Sequence, residues 1–273
     1  MRVEEHFEHS LDPRWCITET GKASVTQNAG SLALIVRPTS SGYSNAQIDD
    51  YSPHPLAQGS DNRRNKLSFQ WRPPLKLTIR ARASDELRGT AGFGFWNHPF
   101  APGERGFRLP QALWFFFASP PSNMALAKDV PGCGWKAATF DAKRWQFLAL
   151  LPTAPIGFLL MRIPLFYNRL WSIGQRAIGV NEKLLDSNLL SEWHTYTLQW
   201  HTNGATFAVD DSIIHQAPYA PHGTLGFIAW MDNQYAVITP QGHFGFGLIN
   251  LQQEQSLQLK FIEIESQYAS ETR

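Results

Sequence analysis

The sequence predicts an all-β protein, a two-sheet antiparallel jelly-roll sandwich carrying one helical insertion around residues 143–188. Three observations predict it. Short runs with apolar–polar alternation recur along the chain, punctuated by Gly, Pro and Asn. Ser191 to Pro218 packs three such runs and two tight turns into one meander. The length of 273 residues suits a single sandwich domain covering 1–273, with no internal repeat or linker to divide it.

In order, Ser31 to Arg37 alternates after Gly30, and Gly42 to Asp49 is a strand of mixed polarity. Lys66 to Arg72 reads as a strand stopped by Pro73-Pro74, and Leu75 to Ala83 sets Leu75, Leu77 and Ile79 against Lys76, Thr78 and Arg80. Ala91 to His98 and Ala112 to Ala118 are nearly continuous apolar runs, as expected of strands covered on both faces. In the meander, Thr195 to His201 leads into Asn203-Gly204, a pair suited to a hairpin with φ > 0 at both central positions. Ala205 to Val209 follows, Asp210-Asp211 turns again, and Ser212 to Gln216 completes it. Thr224 to Met231, His243 to Leu248 and Ser256 to Glu265 supply the last strands.

The insertion breaks the pattern. Its apolar run Phe147 to Met161 carries Pro152 and Pro155, too short and too broken to span a bilayer. Pro164 is placed as a first helical residue, Phe166, Tyr167, Leu170, Trp171 and Ala177 recur at helical spacing, and Gly179 is the stop. An apolar stripe packed on the sandwich, a lid over a ligand face, and a membrane-surface contact through 147–178 are the three uses of such a segment.

A net charge of +1 argues against nucleic acid as a partner. Charged residues make up only 17% while the chain holds 10 Trp and 18 Phe, enough for a large core and an aromatic binding face besides. Cys16 and Cys133 form neither a disulfide framework nor a metal-ligand spacing, and the nine His make no HExxH or Cys/His cluster, so two reduced, buried thiols and no transition metal or other cofactor are expected. The N-terminus MRVEEHFEHSLDPRW has no basic n-region or apolar h-region, which predicts a cytoplasmic location.

Four stretches share a resemblance: GYSNAQIDDY, KLSFQWRPPLKLTIRARAS with Arg80 and Arg82 in basic positions, the meander WHTYTLQWHTNGATFAVDDSIIHQAP, and LQLKFIEIES. In these the chain resembles the concanavalin A-like lectin/glucanase superfamily, most closely family 16 β-glucanase (laminarinase-like) proteins. The resemblance implies a curved jelly roll whose concave sheet forms a glycan-binding cleft, and family members often carry a structural calcium, for which no ligands are identifiable here. It also implies retaining hydrolysis by the motif E-x-D-x-x-E, whose two glutamates must stand about 5–5.5 Å apart with separated pKa values. Aligned on this chain, the motif's carboxylates fall on Ala112, Trp114 and Phe117, and Leu109 to Met124 contains no Asp or Glu. The chain is therefore not a retaining β-glucanase by the family mechanism; whether it is an enzyme of another kind stays open.

Alternation places Ala112, Trp114 and Phe116 on one face of their strand and Leu113, Phe115 and Phe117 on the other. The first set would replace the catalytic strip by an aromatic floor suited to sugar faces or flat apolar ligands. Trp96, Asn97, Trp230, Asn233, Gln234, Arg80 and Arg82 are the further candidates for ligand contact, and Asp232 and His98 the candidates for acid/base chemistry. Three readings follow. The first is a non-hydrolytic protein binding a glycan or glycoconjugate in an aromatic cleft. The second is an enzyme of cyclase, isomerase or lyase type acting on a small apolar substrate beneath the insertion. The third is a protein docked to a membrane or partner, with a vestigial cleft.

Overall fold

The computed structural model describes residues 1–53, 66–99 and 108–267. Two large antiparallel sheets make up the protein. The first contains β1 (Arg2–Glu5), β3 (Ala23–Asn28), β4 (Ser31–Val36), β6 (Leu75–Ala83), β11 (His194–His201), β12 (Gly204–Val209), β13 (Ser212–Ala217) and β17 (Gln255–Ser266), in the order β13–β12–β11–β6–β17–β4–β3 with β1 also paired to β17. The second contains β2 (Cys16–Thr20), β5 (Asn45–Asp49), β7 (Thr90–Trp96), β8 (Gln111–Ala118), β9 (Gly134–Asp141), β10 (Asn181–Leu184) and β14 (Gly226–Asp232), in the order β10–β9–β8–β7–β14–β5–β2. A small hairpin, β15 (Gln234–Ile238) and β16 (Phe244–Leu248), follows β14. This is the expected jelly-roll sandwich.

The core lies between the sheets and follows from the period of two. β7 and β8 send Phe93, Phe95, Leu113 and Phe115 inward, where they meet Tyr196, Trp200 and Phe207 of the first sheet. Phe115 is wholly buried, with ring centroids 5.0 Å from Tyr196 and 5.3 Å from Phe207 in edge-on contacts. Truncating a ring so placed costs about 3–5 kcal/mol.

Several local expectations are corrected. Residues 66–72 form no strand; among the described residues their one β-bridge is Trp71 to Leu225, the Ser68 amide donates to the Tyr51 carbonyl, and the Trp71 indole N–H donates to the Asp50 carboxylate. In the meander the two-residue loop is Thr202-Asn203, since His201 pairs with Gly204, and neither loop residue has positive φ. Gly204 is required for space: a Cβ there would sit 2.5 Å from the Ala217 carbonyl oxygen. The pair with φ > 0 is Asp210 (46°) and Asp211 (65°), between Val209 and Ser212. Asp210 is held there by its own carboxylate, which accepts from the Thr195 amide and contacts His194. Both cysteines are free, but Cys133 is only half-buried.

The helical part of the insertion is α1 (Trp145–Leu150), a short 3₁₀ turn, α2 (Ala154–Met161) and α3 (Pro164–Ile178). Pro152 and Pro155 fall at the breaks, Pro164 opens α3 and Gly179 closes it in the left-handed conformation (φ 63°). Of the expected stripe, Trp171 and Ala177 are buried, whereas Phe166 is exposed. The insertion as first bounded also takes in β10, which is a strand of the second sheet pairing Asn181 with Thr139.

Candidate functional site

The outward face of the second sheet is built by residues that alternate with the core. β8 presents Ala112, Trp114, Phe116 and Ala118, and the residues beside them on β7 are Trp96, Gly94, Gly92 and Thr90. On β14 the same rows hold Gly226, Ile228, Trp230 and Asp232, and on β5 Asp49, Gln47 and Asn45. Phe117 packs on the core side, so the outward aromatic next to Trp114 is Phe116.

The run A-G-F-G-F-W explains how the rings meet. Its phenylalanines go inward and its glycines outward, leaving β7 bare between two aromatic strands. A Cβ on Gly92 would stand 2.9 Å from the Trp230 ring, and one on Gly94, at φ 150°, would stand 2.6 Å from the Trp114 Cα. Trp230 therefore reaches across β7 to Trp114 (centroids 5.2 Å) and Phe116 (5.9 Å), and Trp114 meets Phe116 at 5.4 Å and Trp96 at 5.9 Å. The result is one aromatic strip over three strands, with Trp96, Trp114 and Phe116 partly buried.

Two of its indoles are pinned by hydroxyls. Trp230 Nε1 donates to Thr90 Oγ1 at 3.0 Å, and Thr90 Oγ1 donates to Asp232 at 2.8 Å. Trp96 Nε1 donates to the Tyr51 hydroxyl at 2.7 Å. The Trp114 N–H has no hydrogen-bond partner among the described residues, so a donor remains in the middle of the strip. A bound molecule with a face to stack and an oxygen to accept is what this arrangement suits.

Polar groups frame the strip. Gln47 donates to Asp49 at 2.7 Å, and Asp49 also accepts from the Ser52 amide and hydroxyl; burial raises its pKa against those hydrogen bonds. Lys136, opposite Phe116, is paired with Glu182 at 3.3 Å, both nearly buried, and burial raises the Glu182 pKa while Lys136 opposes it. Burial pushes Asp232 up to about 6, against the hydrogen bonds it accepts from Gln234, Thr90 and Tyr43. None of these carboxylates stands on β8.

The other candidates separate into groups. Asn97 fixes the β7–β8 connection, donating to the Leu109 carbonyl and accepting from the Gln111 amide. Asn233, buried, accepts from the Ser44 amide and donates to the Gly42 and Ile249 carbonyls. Gln234 is exposed beside the strip. His98, at φ 41°, stacks on Trp96 with centroids 4.7 Å apart. Asp232 pairs with Thr90, and His98 lies beyond Trp96, so about 20 Å of extended strand separates the two acid/base candidates. Arg80 and Arg82 are not on this face at all. They alternate outward on β6 of the first sheet, where the Arg82 guanidinium lies 4.9 Å from the Trp193 ring centre and donates to Gln258.

Tyr51, Thr90 and the Lys136–Glu182 pair were not singled out from the sequence. Thr90 shares the parity of Gly92, Gly94 and Trp96 and was findable on that signal; Tyr51 follows a strand rather than lying in one. A cavity of about 320 Å³ lies within the insertion and against β15–β16, lined by Phe147, Phe158, Trp171 and Phe244 among others, without a titratable side chain. Among the described residues no three His, Cys, Asp or Glu side chains come together as a metal site.

The chain is similar over 97% of its length to a laminarinase from Flavobacterium sp. UMI-01 (TM-score 0.52, 14% identity, 99% of that chain) and to a Bacillus licheniformis β-glucanase (TM-score 0.52, 10% identity, 98% of that chain). The fold is that of the glucanase-type sandwiches. A GlcNAcα1-4Gal-releasing endo-β-galactosidase from Clostridium perfringens is also similar (TM-score 0.53, 14% identity), covering 96% of this chain, which spans 61% of that enzyme's length. No family model matches the sequence, and no curated protein does.

Proposed function

We propose that this protein binds a glycan or glycoconjugate without hydrolysing it, using the strip of Trp96, Trp114, Phe116 and Trp230. The observation that carries this reading is the outward face of β8, where Ala112, Trp114 and Phe116 stand and no carboxylate does. Retaining hydrolysis needs two carboxyl groups about 5–5.5 Å apart astride the bond. Asp49 and Asp232 lie four residues out of register along β14, about 13 Å apart, and neither neighbours Trp114. The glucanase, laminarinase and galactosidase that share the fold act on glycans by their names, which supports a glycan as the class of ligand.

In this reading the accessible parts of the Trp96, Trp114 and Phe116 rings stack on sugar faces and the Trp114 N–H donates to a hydroxyl or ring oxygen. Asp232 is a positioning residue, acting through Thr90 on the Trp230 indole. A glycan array, followed by incubation of the best ligand with the protein and chromatography of the products, tests the reading. Binding with the ligand recovered intact is the expected result. Release of shorter sugars would overturn it, as would an array without a single binder.

A further inference from the structure

The arm formed by α1, α2, α3 and the β15–β16 hairpin carries most of the exposed large hydrophobic side chains among the described residues. Of seventeen large hydrophobic side chains exposed among the described residues, ten lie between Trp145 and Ile173 and three on β16. The most exposed are Leu165 (78%), Trp145 (72%), Phe246 (68%) and Ile156 (65%). The two elements are joined: Phe158 packs edge-on against Phe244, and the Arg162 side chain donates to the Gln241 carbonyl at 3.3 Å. Patches of this kind on soluble proteins mark interaction surfaces.

The distribution of charge selects the partner. From Trp145 to Met161 there is no charged residue, and α2, apolar all round, buries only Met161. A helix of that composition belongs in a core or in lipid, and α2 is in neither the first nor the second sheet's core. Charges begin where this stretch ends. Between Asp141 and Glu182 the only ones are Lys143, Arg144, Arg162, Arg169 and Arg176, all positive. Lys143 precedes α1 and Arg162 follows α2, so basic groups bracket the uncharged helices, and Arg169 and Arg176 continue along the exposed side of α3; Arg144 is instead stacked on the Tyr219 ring, 4.1 Å from its centre. No helix among the described residues is long and apolar enough to cross a membrane. The combination fits an arm that lies in the interface, apolar tip in the acyl region and cations at the headgroups.

We infer that this arm docks the protein on a bilayer containing anionic lipid. The inference is independent of the ligand bound by the aromatic strip. The test is flotation of the full chain with phosphatidylcholine vesicles, with and without phosphatidylglycerol, at low and high salt. Binding to the phosphatidylglycerol vesicles, weakened by salt, is expected. Ile156→Asp with Leu159→Asp should abolish it, and Arg169→Ala with Arg176→Ala should weaken it about 25-fold at low salt, each cation counting for roughly fivefold. Circular dichroism and an unchanged melting temperature confirm that the variants fold, and their glycan binding should match the parent. Failure of the parent chain to float, equal binding with and without phosphatidylglycerol, or a dimer dispersed by the same substitutions would overturn the inference, the last by assigning the surface to a second copy.

Discussion

Asp232→Asn isolates the most consequential buried charge at the edge of the aromatic strip. Asp232 is 5% exposed, and burial lifts its carboxyl from 3.8 to about 6. The sign follows directly. A folded-state pKa above the unfolded one means the native state holds the proton more tightly, so the contribution is fully present below pH 3.8 and is lost as pH rises through 6. A rise of about two units corresponds to about 3 kcal/mol of differential stability. The amide preserves shape: its oxygen can accept from Thr90 and Gln234, and its nitrogen can donate to the Tyr43 hydroxyl. Urea unfolding of both proteins from pH 4 to pH 7.5 measures the difference curve, in which other titrating groups cancel. The variant should gain on the parent by up to about 3 kcal/mol across that window. A flat difference, or a parent that gains on the variant as pH rises, would refute the burial argument.

Gly92→Ala places a Cβ 2.3 Å from the Phe115 carbonyl oxygen and 2.9 Å from the Trp230 ring; about 1–3 kcal/mol of stability should be lost by overpacking, with a change in near-ultraviolet circular dichroism from the displaced indole. Asn233→Ala removes one acceptor and two donors that hold Ser44, Gly42 and Ile249, leaving buried backbone groups unpaired, and thermal unfolding should show a loss of at least about 2 kcal/mol.

How far the sequence reveals the molecule varies with the kind of signal. The second sheet was legible because the alternation in AGFGFW and ALWFFFA fixes which side chains face out, and Trp96, Trp114, Phe116 and Trp230 do come together. Helix α3 was legible from Pro164 and Gly179, which set its ends by backbone geometry. Residues 66–72 alternate like a strand yet among the described residues form no ladder, only the isolated bridge at Trp71 and a Ser68 amide bond to the Tyr51 carbonyl, since pairing is decided by what lies alongside and not by pattern. Asn203-Gly204 misled for a related reason: the glycine serves close approach to Ala217, while a local carboxylate supports positive φ at Asp210. Arg80 and Arg82 were placed by parity but not by sheet. Period two cannot tell which of two sheets a strand joins, and β6 belongs to the first. The roles of Asn97 and Asn233 depend on carbonyls 12 and 16 residues away in the sequence, which composition does not disclose.

In the proposed function, ligand meets the aromatic strip and not the face of the opposite sheet that carries Arg82 and Lys260. Calorimetric titration of the best array ligand into Trp114→Ala and Trp193→Ala tests it most directly, since Trp193 lies between Arg82 and Lys260 on the first sheet. Trp114→Ala should weaken binding at least about tenfold, the effect of removing a central aromatic anchor, while Trp193→Ala leaves it unchanged. Unaltered affinity in Trp114→Ala, or loss of binding in Trp193→Ala, would contradict binding at the aromatic strip.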